Sequence, residues 1–350
     1  MAQHAPTTVV VADDSALMRT VLTASLRQAG IEVVAVAADG DEALVRCEEL
    51  APDVLSLDLA MPGRDGVSVL REMRARGVGI PVVVVSAFSA AAGATAVDAL
   101  AEGAFDLVAK PTSREEIDGF ASALVDRIRL AASERRRRAA IVPRGRLGRR
   151  SRSGRRLSGA TAADAGRIVV IACSTGGPRA LGELLPSLPE RLGGGTLIVQ
   201  HMPEGFTASL AERLDHVSQL AVSEAVERDR PDPRRVLLAP GGRHMRVTAD
   251  GAIALTEEPA IGGLRPRADL TIKDAVAVWG DRVLLVVLTG MGRDALEGAA
   301  AVHDSGGHVL VEAASSCVVH GMPRAIVEAG LADEELDLGS LAGAILAEAA

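Results

Sequence analysis

Aromatic side chains are nearly missing from this 350-residue chain, which has one Trp, four Phe and no Tyr. A core built on stacked rings is excluded. Ala, Val and Leu must fill the interior, which suits helices layered on a parallel sheet. Cysteine is scarce as well. Cys47, Cys173 and Cys317 form an odd, dispersed set that gives no disulfide framework and fits a reducing compartment. The first residues, MAQHAPTTVVVADD, lack the basic, apolar and cleavage regions of a secretory leader. Together these point to a cytoplasmic protein. An uncharged stretch, Gly77–Val97, has the length to span a bilayer. It is interrupted by Gly79, Pro81, Ser86, Ser89 and Gly93, and PVVVV reads as a buried strand, so no membrane insertion is expected.

The formal net charge is −8, unevenly spread. Residues 133–156 hold eleven Arg and one Glu, a local +10 that leaves −18 for the remainder. Two acidic regions joined by a basic connector do not make a nucleic-acid-binding protein as a whole. The segment RRRR followed by PRGRLGRRSRSGRR lacks apolar periodicity. It reads first as a solvated tether and second as a docking site for an anionic partner.

Residues 7–130 alternate Val/Leu-rich runs with amphipathic segments. Strands are expected at 8–12, 33–37, 53–57, 81–85 and 105–109, and a last helix at about 113–132. This predicts an α/β domain over 1–130, a linker over 131–165 and a second doubly wound α/β domain over 166–350. In the second domain, strands are expected at 167–172, 196–200, 235–239 and 282–290, and helices at 178–186, 205–214, 268–279 and 293–304. A hairpin over 246–255 should turn at Asp250-Gly251.

In the first domain the polar residues gather at predicted strand ends. Asp13 and Asp14 follow the first strand, Asp58 the third, Ser86 the fourth and Lys110 the fifth. Strand ends of a doubly wound sheet converge on one crevice. Three carboxylates supply hard oxygen ligands for Mg²⁺. Asp58 can act as nucleophile toward a phosphoryl group, with Ser86 and Lys110 on its oxygens. Any one of these residues alone reads better as a helix cap, turn residue or surface charge; the set does not. The segments DDSALMR (13–19), DLAMPGRDG (58–66), SA (86–87) and KP (110–111) resemble response-regulator receiver domains, which implies a flavodoxin-like (βα)5 fold and phosphorylation at Asp58. Leu107 stands where many receivers carry an aromatic switch residue.

In the second domain Ser174 lies in ACSTGGP, directly after a predicted strand, where Gly176 and Gly177 permit a tight turn. Alone, this is as much an anion-binding turn as a nucleophile. A nucleophilic serine needs a base and an orienting acid. Of seven histidines only His201 immediately follows a strong strand, and Asp294 in LTGMGRDALEGA follows another. The order Ser, His, Asp differs from that of the α/β-hydrolases. Cys173 is a rival nucleophile, ranked as a packing residue because neighbouring side chains diverge.

The segments STGGP (174–178), QHMP (200–203), APGGRHM (239–245), RP (265–266), LTGMGRD (288–294) and CVVHGMPR (317–324) resemble the chemotaxis protein-glutamate methylesterases, the CheB family. The resemblance implies Ser174 as nucleophile, His201 as base, Asp294 as its partner and the Met291 N–H as oxyanion donor, with Thr175 helping to hold the site. No cofactor is expected in the catalytic domain. It also implies a chemotaxis histidine kinase as phosphodonor and methyl-accepting receptors as substrate, whose glutamyl methyl esters are hydrolysed and glutamines deamidated. Cys173, His320 and the Arg-rich linker depart from the family pattern. A receptor-docking module without catalysis is disfavoured by the retained Ser, His and Asp. A DNA-binding regulator would need a helix-turn-helix, and none is evident.

Overall fold

The computed structural model describes residues 6–87, 90–113, 115–140 and 166–349. The first domain runs β1 (Thr8–Ala12), α1 (Ala16–Gln28), β2 (Glu32–Ala37), α2 (Gly40–Leu50), β3 (Val54–Asp58), α3 (Gly66–Ala75), β4 (Val82–Ser86), α4 (Ala90–Ala101), β5 (Asp106–Ala109) and α5 (Ile117–Ala140). Its all-parallel sheet has the order β2-β1-β3-β4-β5. The chain reverses direction across the sheet between β1 and β3, so their C-terminal ends open on one crevice. Every residue of β3 and β4 is buried, as expected when helices cover both faces.

The second domain runs β6 (Ile168–Cys173), α6 (Gly177–Leu184), β7 (Gly195–Gln200), α7 (Phe206–Val217), β8 (Ala221–Glu224), β9 (Arg235–Leu238), β10 (His244–Val247), β11 (Ile253–Thr256), α8 (Ala268–Trp279), β12 (Val283–Val287), α9 (Leu296–Asp304), β13 (His308–Glu312), α10 (Met322–Glu328), β14 (Glu334–Leu336) and α11 (Leu338–Ala349). Seven parallel strands take the order β14-β13-β12-β6-β7-β9-β8. Alternation along β6 divides the core: Ile168, Val170 and Ala172 face one cluster, and Val169, Ile171 and Cys173 the other. The switch point lies at β6, between β12 and β7. β10 and β11 form the expected antiparallel hairpin, with Gly251 at φ 79° in its turn.

Three strands lie outside the sequence expectation: β8, β13 and β14. So do α10 and α11. The other difference is α5. It continues to Ala140, where the sequence suggested a connector from 131. The reason is local. Arg135 donates to Pro52 O, and Arg136 pairs with Asp53 at 3.2 Å, so the arginines anchor the helix to the underside of the first domain. Arg137 turns toward the second domain, beside Cys317 and Thr289. Most of the basic connector, 141–165, lies outside the described residues.

The domains meet through α4, which packs on α6 and α7, and one apolar cluster runs from Ala96, Val97 and Leu100 to Leu181 and Leu210. Arg213 on α7 pairs with Asp98 on α4 at 2.5 Å. Val319 joins Phe120, Leu124 and Ile128 of the first domain. Among the described residues, no helix is long and apolar enough to cross a membrane.

Gly66 opens α3 directly beneath the end of β3. A Cβ there would lie 2.6 Å from Asp58 O and 2.8 Å from Leu59 Cα, both backbone atoms that cannot step aside. Gly66→Ala should therefore lower the first thermal unfolding transition by several degrees, the equivalent of about 2 kcal/mol. An unchanged melt would refute the close-approach argument.

Candidate active site

In the first domain the structure brings Asp13, Asp14, Asp58 and Lys110 together, with Ser86 at the end of the neighbouring strand. Carboxylate oxygens of Asp13, Asp14 and Asp58 lie within 4.8 Å of one another. Lys110 Nζ reaches Asp13 Oδ2 at 2.8 Å and Asp58 Oδ2 at 2.7 Å. Burial pushes the Asp13 carboxyl above its ordinary range, the Lys110 hydrogen bond pulls it back, and the Asp58 charge adds to the rise. Burial draws the Lys110 ammonium down, but its bonds to Asp13 and Asp58 outweigh this and hold it above the usual lysine value. Ser86 is buried at the end of β4, and its carbonyl accepts the Lys110 N–H at 2.7 Å. Crowded carboxylate oxygens with one cation beside them are a donor set suited to a hard divalent ion.

In the second domain Ser174, His201 and Asp294 follow β6, β7 and β12, the three central strands. The Ser174 turn is tied from several sides. Ser174 N–H donates to Thr289 O at 3.0 Å, and Gly177 N–H closes back on Ser174 O at 2.8 Å. Gly176 sits at φ 83°, and a Cβ there would also strike Val318. Gly290 approaches so closely that its own Cβ would fall 2.9 Å from Ser174 Cβ, which places Met291, the next residue, beside the serine. The Met291 side chain is exposed.

Gln200 joins the serine and histidine turns. Its Nε2 donates to Ser174 O at 3.0 Å and to His201 O at 2.9 Å, and its Oε1 accepts from Cys173 Sγ at 3.0 Å. Cys173 is fully buried in the core, and burial pushes its thiol far above the ordinary range, so it packs rather than reacts.

His201 Nε2 donates to Asp294 Oδ2 at 2.7 Å. An ionised carboxylate only accepts, so the neutral ring carries its proton on Nε2 and leaves the Nδ1 lone pair for an incoming hydroxyl. That Nδ1 is buried and has no partner, and it belongs to the residue that lines a cavity with Ser174. Asp294 is buried and is not the N-cap of α9, a position taken by Ala295 at φ 70°. Besides His201, Asp294 accepts from the N–H groups of Ala268 at 2.7 Å, Asp269 at 3.0 Å and Ala295 at 2.9 Å, and it forms an ion pair with Arg267 Nε at 2.9 Å. Burial alone would raise its carboxyl; the His201 bond and charge and the backbone donors win and hold it well below the usual range. Asp269, buried beside it, is raised by desolvation and by the Asp294 charge.

The cavity has a volume of about 670 Å³ and is walled by both domains: Ser174, His201 and Met202 on one side, Lys110, Thr112 and Phe120 on the other. Thr175 Oγ1, next to the serine, donates to Asp106 Oδ2 at 2.5 Å, and Arg127 holds the same oxygen at 2.7 Å. The first domain thus roofs the serine, which is only 6% exposed.

Sequence reasoning singled out neither Gln200 nor Arg267, Asp269, Thr289 and Asp106 as functional. Gln200 stands inside a quoted motif, yet its bonds to two turns depend on the sheet order. Arg267, Asp269 and Asp106 read as ordinary surface charges until the tertiary fold buries them.

The sequence profile described as CheB methylesterase matches residues 169–345, and that of the response regulator receiver domain matches residues 9–120. A protein of Symbiobacterium thermophilum named protein-glutamate methylesterase/protein-glutamine glutaminase is 44% identical over 97% of this chain and 96% of its own length. A Thermotoga maritima protein of the same name is 37% identical over 93% of each. The crystal structure of the Thermotoga maritima CheB methylesterase catalytic domain aligns at 40% identity and a TM-score of 0.51, covering 53% of this chain and 99% of that one. The fold, with its serine turn at the switch point of the second sheet, and these full-length likenesses agree: the chain belongs to the CheB methylesterase family, with a response-regulator receiver domain ahead of the catalytic domain.

Proposed function

We propose that this protein hydrolyses glutamyl methyl esters on methyl-accepting chemotaxis receptors, and deamidates receptor glutamines, under control of phosphorylation at Asp58. The observation that carries the reading is the His201–Asp294 pair, with Nδ1 buried and unpartnered on a residue that lines one cavity with Ser174. The names of the full-length relatives supply the substrate.

In the first step His201 Nδ1 takes the Ser174 proton as Oγ attacks the ester carbonyl. The tetrahedral oxyanion develops near the start of α6 and the Met291 N–H, where backbone donors favour negative charge. Imidazolium formed at His201 is stabilised by Asp294, then returns its proton to the departing methoxide, releasing methanol. Water, deprotonated by the same ring, cleaves the acyl-enzyme to glutamate and restores Ser174. With a glutamine substrate the leaving group is ammonia.

Asp13, Asp14 and Asp58 would hold Mg²⁺, which supplies charge neutralisation for a phosphoryl group arriving on Asp58. Ser86 and Lys110 face the same crevice to bind its oxygens. A chemotaxis histidine kinase is the phosphodonor, and the protein works in the cytoplasm. Since Lys110 lies on the wall of the catalytic cavity, phosphorylation acts close to the roof it must move. A phosphoryl group competes for Lys110 and shifts the population toward an undocked arrangement.

Ser174→Ala should abolish methanol release from methylated receptor membranes, by a factor of about 10³ or more; retained activity would remove Ser174 as nucleophile. A small-molecule phosphodonor with Mg²⁺ should raise the wild-type rate and leave Asp58→Asn unchanged; equal stimulation of both would contradict control through Asp58. Asp106→Asn weakens the contact with Thr175 and should raise the unphosphorylated rate roughly three- to tenfold. A rate that stays at the wild-type level would show that this contact does not hold the roof.

A further inference from the structure

The surroundings of Asp294 contain one feature the methylesterase mechanism leaves unused. Three backbone N–H groups and His201 already occupy the roughly four lone-pair positions of the carboxylate. A further partner, the Arg267 guanidinium, is added as an ion pair, with Nε 2.9 Å from Oδ1. Its Nη2 pairs with Asp269 Oδ2 at 2.7 Å and its Nη1 donates to Ile261 O at 3.3 Å, and its side chain is only 18% exposed. Asp269 is itself fixed by the Gly298 N–H at 2.8 Å.

The hydrogen-bonding capacity of Asp294 is filled without Arg267, so the arginine contributes chiefly charge. Two buried carboxylates lie side by side here, and like charges so placed resist joint ionisation. Arg267 bridges them and offsets one. We propose that Arg267 is a positioning residue that balances the Asp294–Asp269 pair and so keeps His201 working as a base at lower pH. The inference rests on the methylesterase reading and extends it.

The sign follows from charge. Protonation of His201 places a cation against Asp294, and a more negative surrounding favours that cation. Arg267 makes the surrounding less negative, so the ring stays a free base further into acid. Other charged groups near the pair are Asp269 and Glu297 on the catalytic side, Glu204 beside the histidine turn, and Asp106, Lys110, Glu115, Glu116 and Arg127 from the receiver. All are common to the variants compared, except where Asp269 is deliberately changed.

The test is kcat/KM for methanol release from methylated receptor membranes across about pH 5 to 9, using full-length protein under one phosphorylation condition. Arg267→Gln should move the acid limb to higher pH by about 0.5–1 unit and cost several-fold in rate on that limb. The charge-neutral double variant, Arg267→Gln with Asp269→Asn, should return the limb toward its wild-type position. Arg267→Lys keeps the charge without the planar fork, so its limb should stay in place even where kcat falls. A limb unmoved in Arg267→Gln overturns the proposal. So does one displaced equally in the lysine and double variants, since that marks a purely geometric role. Should Arg267→Gln fail to fold, a displaced limb in Arg267→Lys alone overturns it. A wild-type protein without methylesterase activity would instead refute the function on which the inference rests.

Discussion

A carboxylate must stay charged where there is no water, and much of the catalytic half is arranged around that requirement. Asp294 is buried, and an unpaired ion there would be costly. The first turn of α8 answers this by offering the N–H groups of Ala268 and Asp269, with the helix's positive end behind them. Ala295 adds its own N–H by taking a left-handed conformation ahead of α9. The ends of β12 and β7 then bring aspartate and histidine together, and only the order of strands in the sheet makes them neighbours. The chemistry thus depends on where α8 begins.

Much of the architecture was legible because strands buried on both faces read as unbroken apolar runs. TVVVA, DVLSL and PVVVV leave little choice, and the polar residues after them fall on one edge. The motifs carried Ser174, His201, Asp58 and Lys110 to their places. β13 and β14 escaped because the apolar run in HVLVE is short, closed by His308 and Glu312, and EEL has no apolar run; each is defined by pairing with its neighbour. The length of α5 was hidden for a related reason. Four successive arginines suggest a solvated tether, yet Arg135 and Arg136 find acceptors on the underside of the receiver. Arg267 and Asp269 stand two residues apart and read as an unremarkable surface pair; the burial that gives them consequence comes from α9 and β12.

The interface between domains is built from the same surfaces as the two sites. β5 and its flanking loops supply both Lys110, which touches Asp58 in the carboxylate crevice, and Asp106, which touches the residue after the serine. One short strand therefore bears on both centres. No long relay of side chains is needed between them, because a displacement of β5 and α5 would move the receiver wall of the cavity and the Lys110 contacts together.

The double grip of Gln200 has a consequence for the kind of control this enzyme can exercise. Because one amide holds the carbonyls of both Ser174 and His201 from inside the catalytic domain, both turns keep an anchor that loss of the Thr175–Asp106 contact leaves in place. On the proposed gating, undocking would expose a largely finished site instead of assembling one. The output is then the open fraction multiplied by a fixed turnover, so stimulation has a ceiling equal to the reciprocal of that fraction at rest. A protein resting about 5% open could gain at most about twentyfold, however strong the phosphorylating signal. The resting leak and the dynamic range of the response are a single quantity, set by the stability of the docked interface.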